Sequence, residues 1–467
     1  MRMTITYDSR KVRPGDVFVA IPGFKVDGTD FIRQAIANGA KVIVAENEVK
    51  VPAGVKFEKV PCARKALARL ANKFYDYPSK KIKLIGITGT NGKTTTSYLI
   101  ASILKKAGYK VGVIGTINGG LTTPESLDLQ EMLADMVEQG ITHVVLEVSS
   151  HALALDRVSG CDFDIAIFTN LTHDHLDFHK TKKEYLATKL KLFENLKQDG
   201  VAIVNVDDPA SKDIFEVVQG EIVTYGVGQA RHELRSTKHN EFDTKVSGIA
   251  IRQDSMSLTI NSRELRTPLI GIPNVYNIAA AYQCALVLNI PQMIIKKGIE
   301  ALQGVPGRVE RIDFGQPFSV VVDFAHSPDA LQKLIETYRP LTEGKIILVF
   351  GCPGDRDKDK RPVMGGIAAK LADVSIITTD DPRSEHPASI VDNIVAGIRL
   401  PGYPDIRDRC RIIIDRREAI RKALELAEKG DTVLIAGRGH EKYQDFNGKK
   451  VEIDDKIEVG RILNAHN

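Results

Sequence analysis

The chain has 467 residues, 43% hydrophobic and 27% charged, an ordinary globular mixture long enough for about three domains. Its formal net charge of +4 is too small and too evenly spread for a nucleic-acid partner, and no apolar run is long enough to span a bilayer. The five cysteines are scattered and show no C-x-x-C spacing, and Met1–Asp8 lacks an apolar core, so neither a disulfide framework, a zinc site nor a secretory signal is expected, and the compartment to expect is the cytoplasm.

Residues 1–80 read as a small α/β unit. Asp16–Ile21 is an apolar strand closed by the Pro22-Gly23 turn, Phe31–Ala40 has helical spacing, and Lys41–Ala45 is a second strand. Tyr77-Pro78-Ser79 marks a boundary. Over residues 81–306 strands and helices alternate: Ile82–Thr88, Ser97–Ala107, Val111–Ile114, Leu127–Gln139, His143–Val148 and Ile165–Asn170. That alternation predicts a parallel, doubly wound sheet. Val246–Ile260 has β-type patterning instead, as an inserted or edge sheet would. Residues 307–467 open at the turn Val305-Pro306-Gly307-Arg308. They carry apolar strands at Ser319–Asp323, Ile346–Phe350, Val374–Thr378 and Thr432–Ala436, which predicts a second, Rossmann-like α/β domain.

The strongest local signal is Gly86-Ile87-Thr88-Gly89-Thr90-Asn91-Gly92-Lys93-Thr94-Thr95-Thr96, set between an apolar strand and a helix. Glycines let backbone N–H groups wrap phosphates, and the helix N-terminus adds positive potential. Lys93 reaches the outer phosphates and the Thr94 hydroxyl suits Mg2+. The common eight-residue form wants Gly where this chain has Ile87, so the shorter G-T-N-G-K-T form is the one that fits. A plain Gly-rich turn is the rival reading, and the Lys-Thr pair weighs against it.

Two strand ends add carboxylates and imidazoles. Glu147 ends the strand beside the loop and is placed to hold Mg2+, with Ser149 and His151 following; a solvent-facing glutamate is the plainer alternative. Thr169 to His179 packs His173, Asp174, His175, Asp177 and His179 into one strand end, a density more typical of a site than of structure. Zinc spacing is not met, and Mg2+ with His175 is preferred. In the next helix Lys189 lies in the middle of an apolar face made by Tyr185, Leu186, Leu190, Leu192, Phe193 and Leu196. Either its ammonium snorkels to water, or the amine is carbamylated and serves as a carboxylate ligand. Residue physics alone favours the first.

Together these blocks resemble the Mur ligases, over essentially the whole chain and in the family's order. Asp8-Ser9-Arg10, Pro14 to Phe18 and Gly23 to Gly28 carry the resemblance at the N-terminus; Gly354-Asp355-Arg356-Asp357, Asp380-Asp381-Pro382-Arg383 and Gly437-Arg438-Gly439-His440-Glu441 are its most specific motifs. The resemblance implies a uridine-nucleotide domain, an ATP domain and an amino-acid domain. It implies that Ser9, the Phe24-Lys25-Val26 turn, Thr122, Thr123, Ser149, Arg157 and Lys189 meet the UDP-peptide. It assigns Gly89 to Thr95 (Gly89, Thr90, Asn91, Gly92, Lys93, Thr94, Thr95) with Asn274, Asn277, Arg308, Asp323 and His326 to ATP. It assigns Arg356, Asp380, Asp381, Pro382, Arg383, Gly437 and Glu441 to the incoming amino acid. It makes Lys93, Glu147, His175 and Lys189 catalytic, with Thr94, Glu147, His175 and a carbamylated Lys189 at the metal. One departure is Leu155, which stands where the family usually has Gln.

The implied reaction is ATP- and Mg2+-dependent ligation through an acyl phosphate, adding a diamino acid to the D-glutamate of UDP-MurNAc-L-Ala-D-Glu in peptidoglycan precursor synthesis, by a monomer acting on small molecules. The choice of amino acid is open. Asp-x-Pro-Arg with its arginine favours meso-diaminopimelate, whereas Asp381, in place of the usual asparagine, could neutralise Arg383 or attract the ammonium of L-lysine. A folylpolyglutamate synthase-like ligase and a nucleotide-gated switch protein are the more distant alternatives.

Overall fold

The computed structural model describes residues 4–23, 26–118, 120–227, 244–398 and 409–464, so Phe24 and Lys25 lie outside it. Three main sheets follow one another along the chain. The first is parallel, with strands Ile5–Thr6, Val17–Val19, Val42–Ala45 and Lys56–Lys59 in that spatial order. Helix Ala63–Phe74 lays Ala63, Ala66, Leu67 and Ala71 onto Val17, Val19 and Val44, the helical spacing of apolar residues meeting the inner face of the strands. The helix expected over Phe31–Ala40 is shorter: a 3-10 turn capped by Asp27 takes Gly28–Phe31, and the α-helix runs Ile32–Ala37.

The second sheet has nine strands in the order Arg263–Thr267, Met256–Ile260, Thr244–Ile251, Glu221–Gly226, Leu196–Asn205, Phe163–Phe168, Lys83–Thr88, His143–Glu147 and Val111–Ile114. The pairings are parallel except at the first two strands, which form an antiparallel edge. The β-patterned stretch at Val246–Ile260 therefore joins the main sheet, as the two strands inside its outermost strand Arg263–Thr267. Lys83–Thr88 lies between His143–Glu147 and Phe163–Phe168. The loops after these three strands consequently leave the sheet side by side, the place where open α/β sheets hold ligands.

The third sheet has six strands in the order Glu310–Ile312, Ser319–Asp323, Thr432–Ala436, Ile346–Phe350, Val374–Ile377 and Cys410–Ile412, parallel apart from the first. One apolar cluster runs from Ile87 and Ile103 through Ile278 to Leu334, Leu348 and Ala436, so the second and third sheets share a core. All five cysteines are free thiols, and no helix among the described residues is long and apolar enough to cross a membrane.

Candidate active site

The phosphate loop is held open by two glycines in the left-handed half of backbone space, Gly89 at φ 148° and Gly92 at φ 87°. A Cβ on Gly89 would come within 1.8 Å of the Thr169 hydroxyl, and one on Gly92 within 2.3 Å of Asn277 Oδ1. Helix Lys93–Lys106 starts directly after Gly92, four residues earlier than its apolar spacing indicates, because its first turn is the polar run Lys93-Thr94-Thr95-Thr96. The loop is braced from the next strand end: Thr90 N donates to Asn170 O at 2.8 Å and Asn91 N to Asn170 Oδ1 at 2.9 Å. Lys93 Nζ donates to the carbonyls of Gly89 and Thr90, both at 2.9 Å. Burial depresses its pKa, Glu147 opposes that, and Arg308 adds to it.

Glu147 is 1% exposed. Its Oε2 accepts from Thr94 Oγ1 at 2.9 Å and from Thr116 Oγ1 at 3.0 Å, while Thr116 N donates to Oε1 at 3.2 Å. A solvent-facing glutamate is thereby ruled out. Thr116 carries no sequence motif, yet it follows strand Val111–Ile114, and the strand-end argument that singled out Glu147 applies to it equally. Asp174 is buried and stays ionised: burial resists this, but His175, His326 and Lys360 outweigh it. Burial keeps His175 neutral, with its neighbours His151 and His326 acting in the same direction and Asp174 against it. A buried carboxylate, a threonine hydroxyl and a neutral imidazole on one cavity wall are a donor set that suits Mg2+.

Lys189 does not snorkel. It is 1% exposed, and its Nζ lies 4.3 Å from the centroid of the Tyr185 ring. Among the described residues it has no ion pair. Burial, then the charge of Lys93, hold its pKa well below the ordinary lysine value, so a neutral amine is available there. The long stem never reaches water because the helix face it sits on is itself packed into the core.

The third sheet brings its strand-end loops over the phosphate loop. Arg308 Nη2 donates to Thr94 Oγ1 at 3.2 Å, and its guanidinium lies 4.4 Å from the Phe324 ring centroid. Asp323 accepts from Val309 N at 2.7 Å and Ala325 N at 2.8 Å. His326 Nδ1 meets Phe324 O at 2.8 Å. Asn274 and Asn277, one turn apart in helix Ile272–Val287, bond each other at 3.0 Å beside Gly92.

The same cavity, of about 930 Å³, is also lined by a recess of opposed charges: Arg356, Asp380, Asp381, Arg383 and Glu441. Asp380, Asp381 and Glu441 each offer an oxygen within 4.8 Å of the others. All three converge on Arg438 Nη1, at 3.7, 2.5 and 3.6 Å. Burial, then the charge of Asp380, push Glu441 up to about 8, against the opposing charges of Arg438 and Arg416. Arg438, quoted in a motif but given no role from sequence, is thus the partner of Asp381. Arg383 is not: its backbone, at φ 50°, bonds Asp445 O at 2.9 Å, and among the described residues its side chain has no ion pair. Arg383 and Arg356 both line the cavity instead, and the charge of Arg383 helps lower the Arg356 pKa, second to burial. Gly437 lines the recess where a Cβ would meet Asp380 Oδ2 at 2.7 Å, and Pro382 is buried beside it.

Of the residues singled out from sequence, Thr122, Ser149 and those assigned to ATP other than Gly89 line this cavity together with the recess. Thr123, Arg157 and Lys189 stand behind its wall. Thr123 Oγ1 donates to Glu147 O at 2.8 Å and accepts from Ser149 N at 3.0 Å. Ser149 Oγ caps helix Ser150–Ala154, and Leu155 ends it. Ser9 lies apart in the first unit, donating to Gln34 Oε1 at 2.7 Å.

A phosphate loop and a recess of opposed charges lining one cleft suit one class: α/β enzymes that activate one substrate with a nucleotide and deliver it to another. The chain matches the Mur ligase family catalytic domain over residues 3–75, the Mur ligase middle domain over 87–285 and the Mur ligase glutamate ligase domain over 307–439, and it belongs to the Mur ligase family. It is 42% identical to the UDP-N-acetylmuramoyl-L-alanyl-D-glutamate--2,6-diaminopimelate ligase of Syntrophomonas wolfei, over 98% of this chain and 94% of that one. It is 43% identical to the ligase of the same name from Bacillus licheniformis, with the same coverage. A solved structure of a UDP-N-acetylmuramoyl-L-alanyl-D-glutamate--2,6-diaminopimelate ligase aligns over 99% of this chain and 95% of that one, with a TM-score of 0.65 and 34% identity. Folylpolyglutamate synthase from Mycobacterium tuberculosis, at 14% identity and a TM-score of 0.63 over 80% of this chain and 92% of that one, shares the fold.

Proposed function

We propose that this chain joins meso-diaminopimelate to the D-glutamate of UDP-MurNAc-L-Ala-D-Glu, using ATP and Mg2+, in peptidoglycan precursor synthesis. The observation that carries the amino-acid choice is the paired Arg356 and Arg383 beside the acidic Asp380–Asp381–Glu441 group. A diamino dicarboxylic acid brings ammonium to the carboxylates and a second carboxylate to the guanidiniums, which lysine lacks. Because Arg438 takes up Asp381, Arg383 keeps its charge for a ligand.

The roles divide along the chain. Residues 1–80 hold the uridine nucleotide through Ser9, residues 81–306 hold ATP, and residues 307–467 bring the amino acid. The substrate carboxylate attacks the γ-phosphorus of ATP, ADP leaves, and an acyl phosphate forms. The amine of the incoming amino acid attacks that carbonyl, a proton is lost, and inorganic phosphate leaves. Lys93 and the loop N–H groups steady the phosphates, while Arg308, Asp323, His326, Asn274 and Asn277 position the nucleotide. Thr94, Glu147 and His175 would hold Mg2+, which would neutralise charge on the transferring phosphoryl group. Lys189, neutral and buried, combines with CO2: its nitrogen bonds carbon, one proton is released, and the carbamate supplies a further anionic oxygen. Thr122, Thr123, Ser149 and Arg157 receive the peptide. A monomer in the cytoplasm suits this assignment, since the second and third units of one chain line the cleft and both nucleotides are small soluble substrates.

The test is ADP release with each substrate omitted in turn. It should require both the UDP-dipeptide and the amino acid, and kcat/KM should favour meso-diaminopimelate over L-lysine by at least about tenfold, worth roughly 1.4 kcal/mol. Release of ADP without either substrate would overturn the reading.

A further inference from the structure

Behind the cleft wall a charged network has, among the described residues, no hydrogen bond or ion pair with the phosphate loop or the amino-acid recess. Arg64, in the first turn of helix Ala63–Phe74, donates from Nη2 to Pro22 O at 2.7 Å and from Nη1 to Glu125 Oε2 at 3.1 Å. Glu125 immediately precedes helix Ser126–Glu138, and its other oxygen accepts from Arg157 Nε. Arg157 also donates from Nη1 to Thr123 O at 3.2 Å. The three side chains are only 12–13% exposed. In such a setting an ion pair is far less screened than on an open surface, and an unpaired member is costly.

We propose that Arg64 is a positioning residue for the nucleotide-linked substrate, acting through Glu125 on Arg157 and the Thr122–Thr123 segment. This rests on the function proposed above. The physical reason is competition for one carboxylate. With Arg64 present, two guanidiniums share Glu125, the group is net positive, and Arg157 binds only one of its oxygens. Arg157 Nη2 then makes no hydrogen bond among the described residues and remains free for an anionic ligand. Without Arg64, Glu125 is a full carboxylate to Arg157 alone. The fork closes on it in two-point contact, the guanidinium is neutralised, and the ligand loses its donor. The second anchor of Arg64, on Pro22, ties this setting to the end of the first sheet. Arg64 thus adds a planar, charged strut to the 2.6 Å bond from Tyr7 Oη to Asp128 Oδ2 and the packing of Leu127, which also join the first unit to this segment.

The experiment uses the full-length enzyme, varying UDP-MurNAc-L-Ala-D-Glu, ATP and meso-diaminopimelate separately. Wild type is run first: if its ADP release does not need the UDP-dipeptide and the amino acid, the functional reading itself falls, whatever Arg64 does. Arg64→Met should raise KM for the UDP-dipeptide by at least about tenfold. Its kcat should stay within about threefold of wild type, and KM for ATP and for the amino acid should not move. Arg64→Lys, which keeps a donor for each anchor in turn, should recover part of the loss. In an Arg157→Ala background Arg64→Met should cost nothing further, because the group it acts through is gone. An unchanged KM for the UDP-dipeptide, an equal loss for all three substrates, or full additivity with Arg157→Ala each overturns the proposal. If Arg64→Met does not fold, Arg64→Gln, which removes the charge that competes for Glu125 and keeps a polar donor, must show the same selective rise in KM, and its absence is equally decisive.

Discussion

At Lys189 burial decides the chemistry. A fully buried ammonium with only an aromatic face for company is costly, and the neutral amine that burial favours is the form that reacts with CO2. Lys189→Ala should lose nearly all activity and regain part of it when short carboxylic acids are added; intact mass spectrometry in bicarbonate buffer should find wild type heavier by one CO2. An unmodified mass together with no rescue would exclude the carbamate. Glu441 gives a pH prediction. Its pKa is raised to about 8 in the free recess, so it is protonated below that pH, and an arriving ammonium must expel the proton. Affinity for meso-diaminopimelate, measured calorimetrically, should therefore tighten as pH rises toward 8 and then level off. The Glu441→Gln variant should lack that rise. At Arg383 the expectation is selectivity: Arg383→Ala should reduce kcat/KM for meso-diaminopimelate at least about tenfold more than for L-lysine, and equal losses would place the second carboxylate elsewhere.

Elements were legible where one physical signal dominates. The apolar strands of the second and third sheets, the strand-to-helix phosphate loop and the carboxylate at the end of His143–Glu147 are all short-range patterns, and they stand where the spacing puts them. What escaped is set by tertiary pairing. Asp381 could not be matched to Arg438, 57 positions away, rather than to Arg383 two positions away, because sequence distance says nothing about which loop returns to the strand end. Snorkelling of Lys189 looked favourable because amphipathic spacing does not reveal how deeply a face is buried. The helix start at Lys93 was obscured by β-branched polar residues that spacing rules discount, and Gly92 at φ 87° sets it. That backbone makes a further prediction: Gly92→Ala should abolish nucleotide binding, measured by fluorescent-ADP titration, since a methyl there combines a strained φ with a contact of 2.3 Å to Asn277. Wild-type affinity in that variant would show that the loop can relax.

The molecule works as one cleft only if its third unit stays seated on its second. Besides Arg308, further polar contacts seat it: Asn91 Nδ2 donates to Asp329 Oδ2 at 3.1 Å, Gln253 Nε2 donates to Leu341 O at 2.9 Å, and His173 Nε2 lies 3.3 Å from Asp357 Oδ2. Asp329→Ala should admit water to the acyl phosphate, so phosphate released should exceed peptide formed, whereas wild type should release them one for one. A ratio that stays at unity would mean that the contact is incidental. The apolar cluster continuous from Ile87 to Ala436 reaches further than catalysis. Neither half can be released from the other without opening oily surface to water. A protease cut in the short connection around Leu302–Pro306 should therefore leave two pieces that travel together on a sizing column. The same two pieces, expressed as separate chains, should find each other and restore ligation, and the chain from Gly307 onward, made alone, should aggregate.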